Sequence, residues 1–326
     1  MMKRKSRLAF LALLLALPLL LTGCYDKLNP LVKNEATTAP GLNEDLHAAV
    51  ADDSNTTEIK ATLYFRYLDE PMLAGESRTL TVRRDQRPEQ AIIEALLEGP
   101  SADNADLRRI IPEDTQIEGI SDRDQVLFVT FGEGFFNDGI PDDWETDDDW
   151  KDEAPLLREL ITQSIAASIT ESYPYTGVQL LVYREDAVQT SLRLSNEYFL
   201  DGSEGLSEPV TRDEALLLTP QTTVKTILTA WSQKDFERMY KYLAYRGRPS
   251  YSAFVDALDL APLVDVFTLS GGSVYPDGQT AVVTAYLRLI RQGEDDEVIS
   301  YPLQLIREND LWKMDYARLE ALIQGS

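Results

Sequence analysis

The chain is nearly free of cysteine and histidine, with one of each in 326 residues, and it is poor in positive charge, with 31 Lys and Arg against 55 Asp and Glu. A single cysteine closes no intramolecular disulfide and a single histidine builds no multi-histidine metal centre. Stability must therefore come from packing. The formal charge of −24 repels phosphate backbones, and no basic stripe with interleaved aromatics follows the first few residues, so nucleic-acid binding is not expected. The longest apolar run, Leu8 to Leu21, spans 14 residues, whereas a membrane-crossing helix needs about 20. This is not a multi-span membrane protein. Also missing are Gly-x-Ser-x-Gly, His-Glu-x-x-His and Gly-x-x-x-x-Gly-Lys, the signatures of an activated serine, a zinc protease and a phosphate cradle. Paired carboxylates would suffice for a glycosidase, but in a chain with 55 acidic residues their abundance says nothing.

What is present begins at the amino terminus. Lys3, Arg4, Lys5 and Arg7 precede the apolar run, which ends in Thr22 and Gly23 just before Cys24. That is the pattern of a secretory leader. Leu21-Thr22-Gly23-Cys24 resembles the lipobox of bacterial lipoproteins, and the resemblance implies that Cys24 receives a diacylglycerol and becomes the first mature residue. One acyl chain holds a protein only marginally, while two or three hold it durably. Cleavage removes four positive charges and leaves 27 − 55 = −28, a surface that anionic headgroups repel. The lipid on Cys24, not electrostatics, must then keep the chain at the outer face of the membrane. Residues 24–57 show no sustained period and read as a flexible tether. His47 lies in it, without the rigid frame that general-base catalysis needs.

At roughly 100 to 200 residues per domain, the remainder suggests two. Within 58–200, Ile59, Ala61, Leu63, Phe65 and Tyr67 alternate with polar residues and mark a strand with one buried side. Thr79 to Arg83 alternates likewise. Pro88 suits a first helical turn, Ile92, Ile93, Leu96 and Leu97 recur at helical spacing, and Gly99-Pro100 stops the run. Strands follow at Thr115 to Ile120 and Val126 to Phe131. Leu157, Ile161, Ile165 and Ile169 then stripe a second helix ending near Pro174, with further strands at Gly177 to Arg184 and Gln189 to Leu194. The order β-β-α-β-β-α-β puts two helices over one mixed sheet, an α+β arrangement.

Leu96-Leu97-Glu98-Gly99-Pro100, then Ile111-Pro112-Glu113-Asp114-Thr115, then the strand Val126 to Phe131 leading to Phe136-Asn137, are similar to the GerMN domain of bacterial sporulation and germination lipoproteins. These motifs are turns and caps, not reactive groups. The resemblance implies an envelope-facing module for protein–protein assembly with no catalytic residues to carry over, and partners among envelope or cell-wall proteins. Nothing after Leu200 repeats the Leu-x-Gly-Pro or Ile-Pro-x-x-Thr pattern, so a tandem copy is not expected.

The sharpest local feature is 138–153, sixteen residues with nine acidic ones and only Lys151 opposing them. Asp138-Gly139-Ile140-Pro141-Asp142-Asp143-Trp144-Glu145 is similar to the second half of a calcium loop, with a glycine for the sharp turn, the carbonyl of Ile140, and Asp142 and Glu145 at the ninth and twelfth positions. The first half does not fit, because Gly134 and Phe136 stand at positions one and three. Asp138, Asp142 and Glu145 are the candidate calcium ligands. The competing reading is a solvated acidic loop whose Trp144 and Trp150 pack on the domain or meet a basic partner.

Residues 201–220 have the composition of an interdomain connection. In 221–326, Val224, Ile227, Leu228 and Trp231 give helical spacing, and two short helices follow around Phe236 to Leu243 and Phe254 to Leu258. The period then switches to two, with strands at Val264 to Leu269, Thr280 to Arg291, Val298 to Arg307 and Leu311 to Asp315. Pro302 argues for an edge or a bulge. Helices followed by a curved antiparallel sheet resemble the NTF2-like cone. Such a cone implies a pocket, for which Tyr240, Tyr242, Tyr286 and Asp265 are the candidates, although aromatics at this spacing are more often core. The expectation is a noncatalytic, lipid-anchored α+β protein that binds other envelope components, with a small-ligand receptor as the second reading and a carboxylate-based cell-wall hydrolase as the third.

Overall fold

A computed structural model describes residues 55–184, 191–259, 261–291 and 294–324. Cys24, the leader, His47 and most of the tether lie outside the described residues. No helix among the described residues is long and apolar enough to cross a membrane.

The first elements form a long hairpin, β1 (Thr56–Tyr67) and β2 (Leu73–Arg83), antiparallel from Thr56 opposite Arg83 to Arg66 opposite Leu73. A short β3 (Leu107–Arg108) joins the other side of β1. Helix α1 (Pro88–Glu98) starts on Pro88 with Glu89 in its first turn and ends at Gly99, whose φ of 92° favours glycine. A second sheet of β4 (Ile117–Arg123), β5 (Val126–Phe131), β6 (Gly177–Tyr183) and β7 (Ser191–Arg193) runs in that order, with β5 and β6 parallel. Between β5 and β6 comes α2 (Glu153–Ser172), the crossover that parallel neighbours require.

The expected single mixed sheet is thus two sheets. The reason lies at Tyr64. Its backbone N–H and C=O face away from β2, where β3 is too short to reach. They bond instead to helix α2: the N–H donates to Ser168 Oγ at 2.9 Å, and Ser164 Oγ donates to the carbonyl at 2.5 Å. Both serines are buried. Two hydroxyls on a helix replace a strand partner, so α2 lies where a continuous sheet would have put a strand.

The second part opens on α3 (Pro220–Gln233), which has a capping box between Thr219 and Thr222, followed by α4 (Phe236–Lys241) and α5 (Tyr251–Leu258). An antiparallel sheet follows in the order β12-β11-β10-β8: β8 (Leu263–Leu269), β10 (Thr280–Arg291), β11 (Glu294–Glu308) and β12 (Leu311–Met314). A two-residue β9 (Ser273–Val274) pairs with β10. The register shifts between Ala285 and Leu287, next to Ser300 with its φ of 58° and to Pro302. Strand β12 reaches only Leu305 to Glu308. Pro302 therefore costs no ladder bond on that side.

Helix α6 (Tyr316–Gln324) closes the chain. Its apolar stripe, Leu319, Leu322 and Ile323, is buried. The alternating residues Ala281, Val283, Ala285, Leu287 and Leu289 share one core with Val224, Ile227, Leu228 and Trp231, and that core continues into Leu63, Phe65, Ile92 and Val129 of the first part.

Candidate functional site

The connection 201–220 is packed. Leu217 is buried, bridges Leu73 of β2, and is followed by Leu218, whose N–H donates to the Leu73 carbonyl at 2.7 Å. Val210 exchanges two backbone bonds with Val178 of β6, at 2.8 and 2.9 Å. These contacts draw the end of β1 against α4 and β12, and the most unusual chemistry among the described residues lies at that junction.

Strand β12 alternates. Leu311 and Lys313 share its inner side, and Lys313 is fully buried. Its Nζ donates to Tyr67 Oη at 2.6 Å, to Asp106 Oδ2 at 3.0 Å and to the Lys241 carbonyl at 3.0 Å. An ammonium has three protons to donate, and all three are used. It also lies 4.6 Å from the Tyr67 ring centroid and 5.2 Å from that of Tyr245. Tyr67 Oη donates to the same Lys241 carbonyl at 2.5 Å, and Tyr245 Oη reaches the Asp106 carboxylate at 2.6 Å.

One turn of chain away, buried Glu70 accepts from Arg238 Nε at 2.7 Å and from Tyr242 Oη at 3.1 Å, with Lys241 Nζ at 3.7 Å. Every member of the pair of clusters comes from one part of the chain and bonds to the other. Ser77 N–H adds a further tie to Asp310 Oδ2 at 2.8 Å.

Burial pulls Lys313 below the ordinary lysine value, against the opposing pull of Asp106. Burial pushes the Tyr67 and Tyr242 phenols far up, helped by Asp106 and Glu70 respectively, and burial with the bond to Asp106 pushes Tyr245 up to about 12. Perturbed groups of this kind are the usual mark of an active site. Here the lysine has no exposure and no proton left to give, so the arrangement is a clamp.

The motifs that carry the family resemblance meet in space. A Cβ on Gly134 would lie 2.2 Å from the Asp114 carbonyl oxygen, so the Ile111–Thr115 loop and the turn before Phe136-Asn137 touch backbone to backbone. Buried Glu76 accepts from Ser101 N–H at 3.0 Å, Ser101 Oγ at 3.0 Å and Asn104 Nδ2 at 2.8 Å, and pairs with Arg78, whose Nη2 also donates to the Gly99 carbonyl at 3.0 Å. Burial raises the Glu76 carboxyl, but the bonds from Asn104, Arg78 and Ser101 outweigh it and hold it below the usual range. The Gly99-Pro100 stop is thus fastened to β2.

The calcium candidates do not come together. Asp138 turns inward to Arg158 Nε at 2.7 Å, and its other oxygen accepts from the Ile140 N–H at 3.2 Å. Asp142 and Glu145 are exposed, and no group of three or more acidic, cysteine or histidine residues is placed to hold a metal ion among the described residues. The loop keeps its shape through Asx-type bonds and short 3-10 turns, with Trp144 and Trp150 half-buried.

The four pocket candidates also diverge. Tyr242 is sealed on Glu70, Tyr240 Oη donates to the Pro249 carbonyl at 2.8 Å, Tyr286 is exposed, and Asp265 pairs with Arg288. Lys313 and Glu70 escaped the sequence reading, although the alternation of β12 already placed a lysine beside Leu311 on the buried side.

The fold and this junction define an α+β protein whose two parts are held together by buried, fully bonded charges. Residues 62–185 match the family described as Germane, sporulation and spore germination, so the chain contains a GerMN-type domain. Among solved structures, a lipoprotein candidate from Clostridium perfringens is 22% identical over 47% of this chain and 87% of its own, with a TM-score of 0.26. The tandem GerMN domains of the sporulation protein GerM from Bacillus subtilis are 12% identical over 73% of this chain and 63% of theirs, with a TM-score of 0.33. The first GerMN domain of that protein is 16% identical over 47% and 98%, with a TM-score of 0.29. Scores this low carry no argument, and the assignment rests on the family match. The comparison with curated proteins gives no match.

Proposed function

We propose that this is a noncatalytic lipoprotein, held through Cys24 on the outer face of a bacterial membrane, whose GerMN-type domain assembles with other envelope or cell-wall proteins in sporulation or germination. The observation that carries this reading is the family match over 62–185, a segment whose diagnostic residues serve as turns and tethers. The lipobox-like Leu21-Thr22-Gly23-Cys24 supports the anchor, and the Lys313 clamp supports a body that presents one fixed surface. The half-buried tryptophans of the acidic loop suit a basic partner surface. A photo-crosslinking amino acid placed at Trp144 in living cells tests the reading. Discrete adducts with envelope proteins support it, and an adduct-free chain in the membrane fraction removes it.

A further inference from the structure

The two edges of the antiparallel sheet in the second part differ. At one, β12 is closed: Met314 donates its N–H to the Tyr242 carbonyl and accepts from the Ala244 N–H, both at 2.9 Å. At the other, β8 pairs with β10 alone among the described residues. Ser270 N–H donates to the Thr284 carbonyl at 2.9 Å, and bonded residues alternate along an antiparallel pair, so Thr268 and Val266 are the next to bond to β10. Phe267 and Leu269 therefore turn their N–H and C=O groups to the open edge. Natural edges are blunted by proline, lysine or bulges. The register shift in β8 falls earlier, between Arg288 and Leu289, and Val266-Phe267-Thr268-Leu269 carries none of these devices.

A cavity of about 710 Å³ adjoins the same stretch, lined by Phe267 and Leu269 together with Ala215 and with Gln221, Thr222 and Lys225 of α3. Phe267 and Leu269 are half-buried, while Thr268 on the opposite face is exposed. Two charged residues line the cavity. Glu214 accepts from Arg212 Nε at 2.6 Å and is already paired. Lys225 is exposed and has no hydrogen bond or ion pair among the described residues. In a chain of charge −24, the uncommitted charge beside this edge is thus positive.

We propose that β8 accepts an extended segment of a partner polypeptide as an added strand, with the main chain on Phe267 and Leu269, an apolar side chain in the adjoining cavity and a carboxylate on Lys225. An open edge selects polypeptide, because a strand supplies donors and acceptors at the two-residue spacing that Phe267 and Leu269 present. The cavity takes the alternate side chains, and Lys225 sets their charge. The site lies outside residues 62–185 and is independent of the assembly proposed for that segment.

The experiment is fluorescence anisotropy of fluorescein-labelled Thr-Val-Thr-Val-Thr-Glu-Thr-amide with the purified full chain in detergent; the valines and the glutamate share one face of that strand. Saturable binding is expected, about threefold weaker for the peptide with lysine in place of glutamate. Lys225→Glu should reverse that order with unchanged melting. Two further peptides carry N-methyl groups on alternate residues, one set on valine and glutamate, the other on threonine. Residues two apart in a strand bond to the same neighbour, so one set should lose at least about tenfold and the other bind like the parent. Leu269→Pro removes an outward N–H without breaking a bond to β10 and should also lose at least about tenfold, with the methylated pair deciding should that variant not fold. No saturable binding up to about 1 mM, equal effects of the two methylated sets, or an unaltered preference in Lys225→Glu would each overturn the proposal. So would a sedimenting dimer that Leu269→Pro dissolves while the peptide fails to bind, since a second copy would then occupy the edge.

Discussion

Replacing Lys313 with methionine is the most informative single change, because the side chain keeps its volume while the charge disappears. Lys313 is buried on all sides, and Asp106 retains 14% of its side-chain exposure. Removing one member of a buried pair typically costs about 3–5 kcal/mol, chiefly through the charge left behind. Asp106 would keep the bond from Tyr245 and some water, and Tyr67 would still donate to the Lys241 carbonyl. The expected loss is therefore about 2–3 kcal/mol, a large share of the roughly 5–15 kcal/mol that holds a protein folded. Urea unfolding followed by far-ultraviolet circular dichroism measures it. Adding Asp106→Asn to the same chain should restore about 1 kcal/mol, since the uncompensated carboxylate is then gone. A Lys313→Met protein within about 0.5 kcal/mol of the parent would refute the reasoning, because it would mean that the ammonium contributes nothing to the junction.

The same junction gives a pH dependence. Tyr67 and Tyr242 have folded values raised above the unfolded one, so their contribution is complete below about pH 10 and is lost as pH rises beyond it. Lys313, lowered on folding, acts in the opposite sense from its depressed value up to the ordinary one, but it is one group against several tyrosines. Stability should fall from about pH 10 upward, and phenolate absorbance should show Tyr67 and Tyr242 ionising only together with unfolding; early ionisation of both would contradict the burial argument. Gly134→Ala should cost at least about 2 kcal/mol or prevent folding, because its Cβ would overlap the Asp114 carbonyl; an unchanged melting temperature would disprove that contact. Asp138→Asn should destabilise by about 1–3 kcal/mol, while millimolar calcium should leave the melting temperature of the parent where it is. Cys24→Ala should move the protein out of the membrane fraction or leave it uncleaved, with the described residues still folded, and normal attachment would remove the lipid assignment.

Local periodicity made most of the elements legible. The alternation of Ile59 to Tyr67, the stripe of Leu157 to Ile169 and the switch to period two after Val264 each correspond to an element at nearly the expected place. What the sequence could not convey was long-range pairing. Nothing local to Tyr64 announces that two serines one hundred residues away will complete its hydrogen bonds and split the sheet. Helix α6 was missed because its stripe is short and follows directly on β12. At the site, the acidic composition of 138–153 suggested a cation, but a carboxylate binds whichever positive partner the fold brings near, and for Asp138 that is Arg158. Tyr242, grouped with a pocket on spacing alone, instead bonds to Glu70 from the other part of the chain.

The proposed function requires that the chain be anchored through Cys24 and that it work by holding other proteins in place. Crosslinked pull-down from intact cells, quantified for the parent and for a secreted form lacking Cys24, addresses this most directly. The prediction is a reproducible set of envelope proteins joined to residues 62–185 of the parent and greatly depleted with the secreted form. A chain that captures nothing in either form, while the purified protein turns over a cell-wall substrate and loses that activity on substitution of one carboxylate, would contradict it.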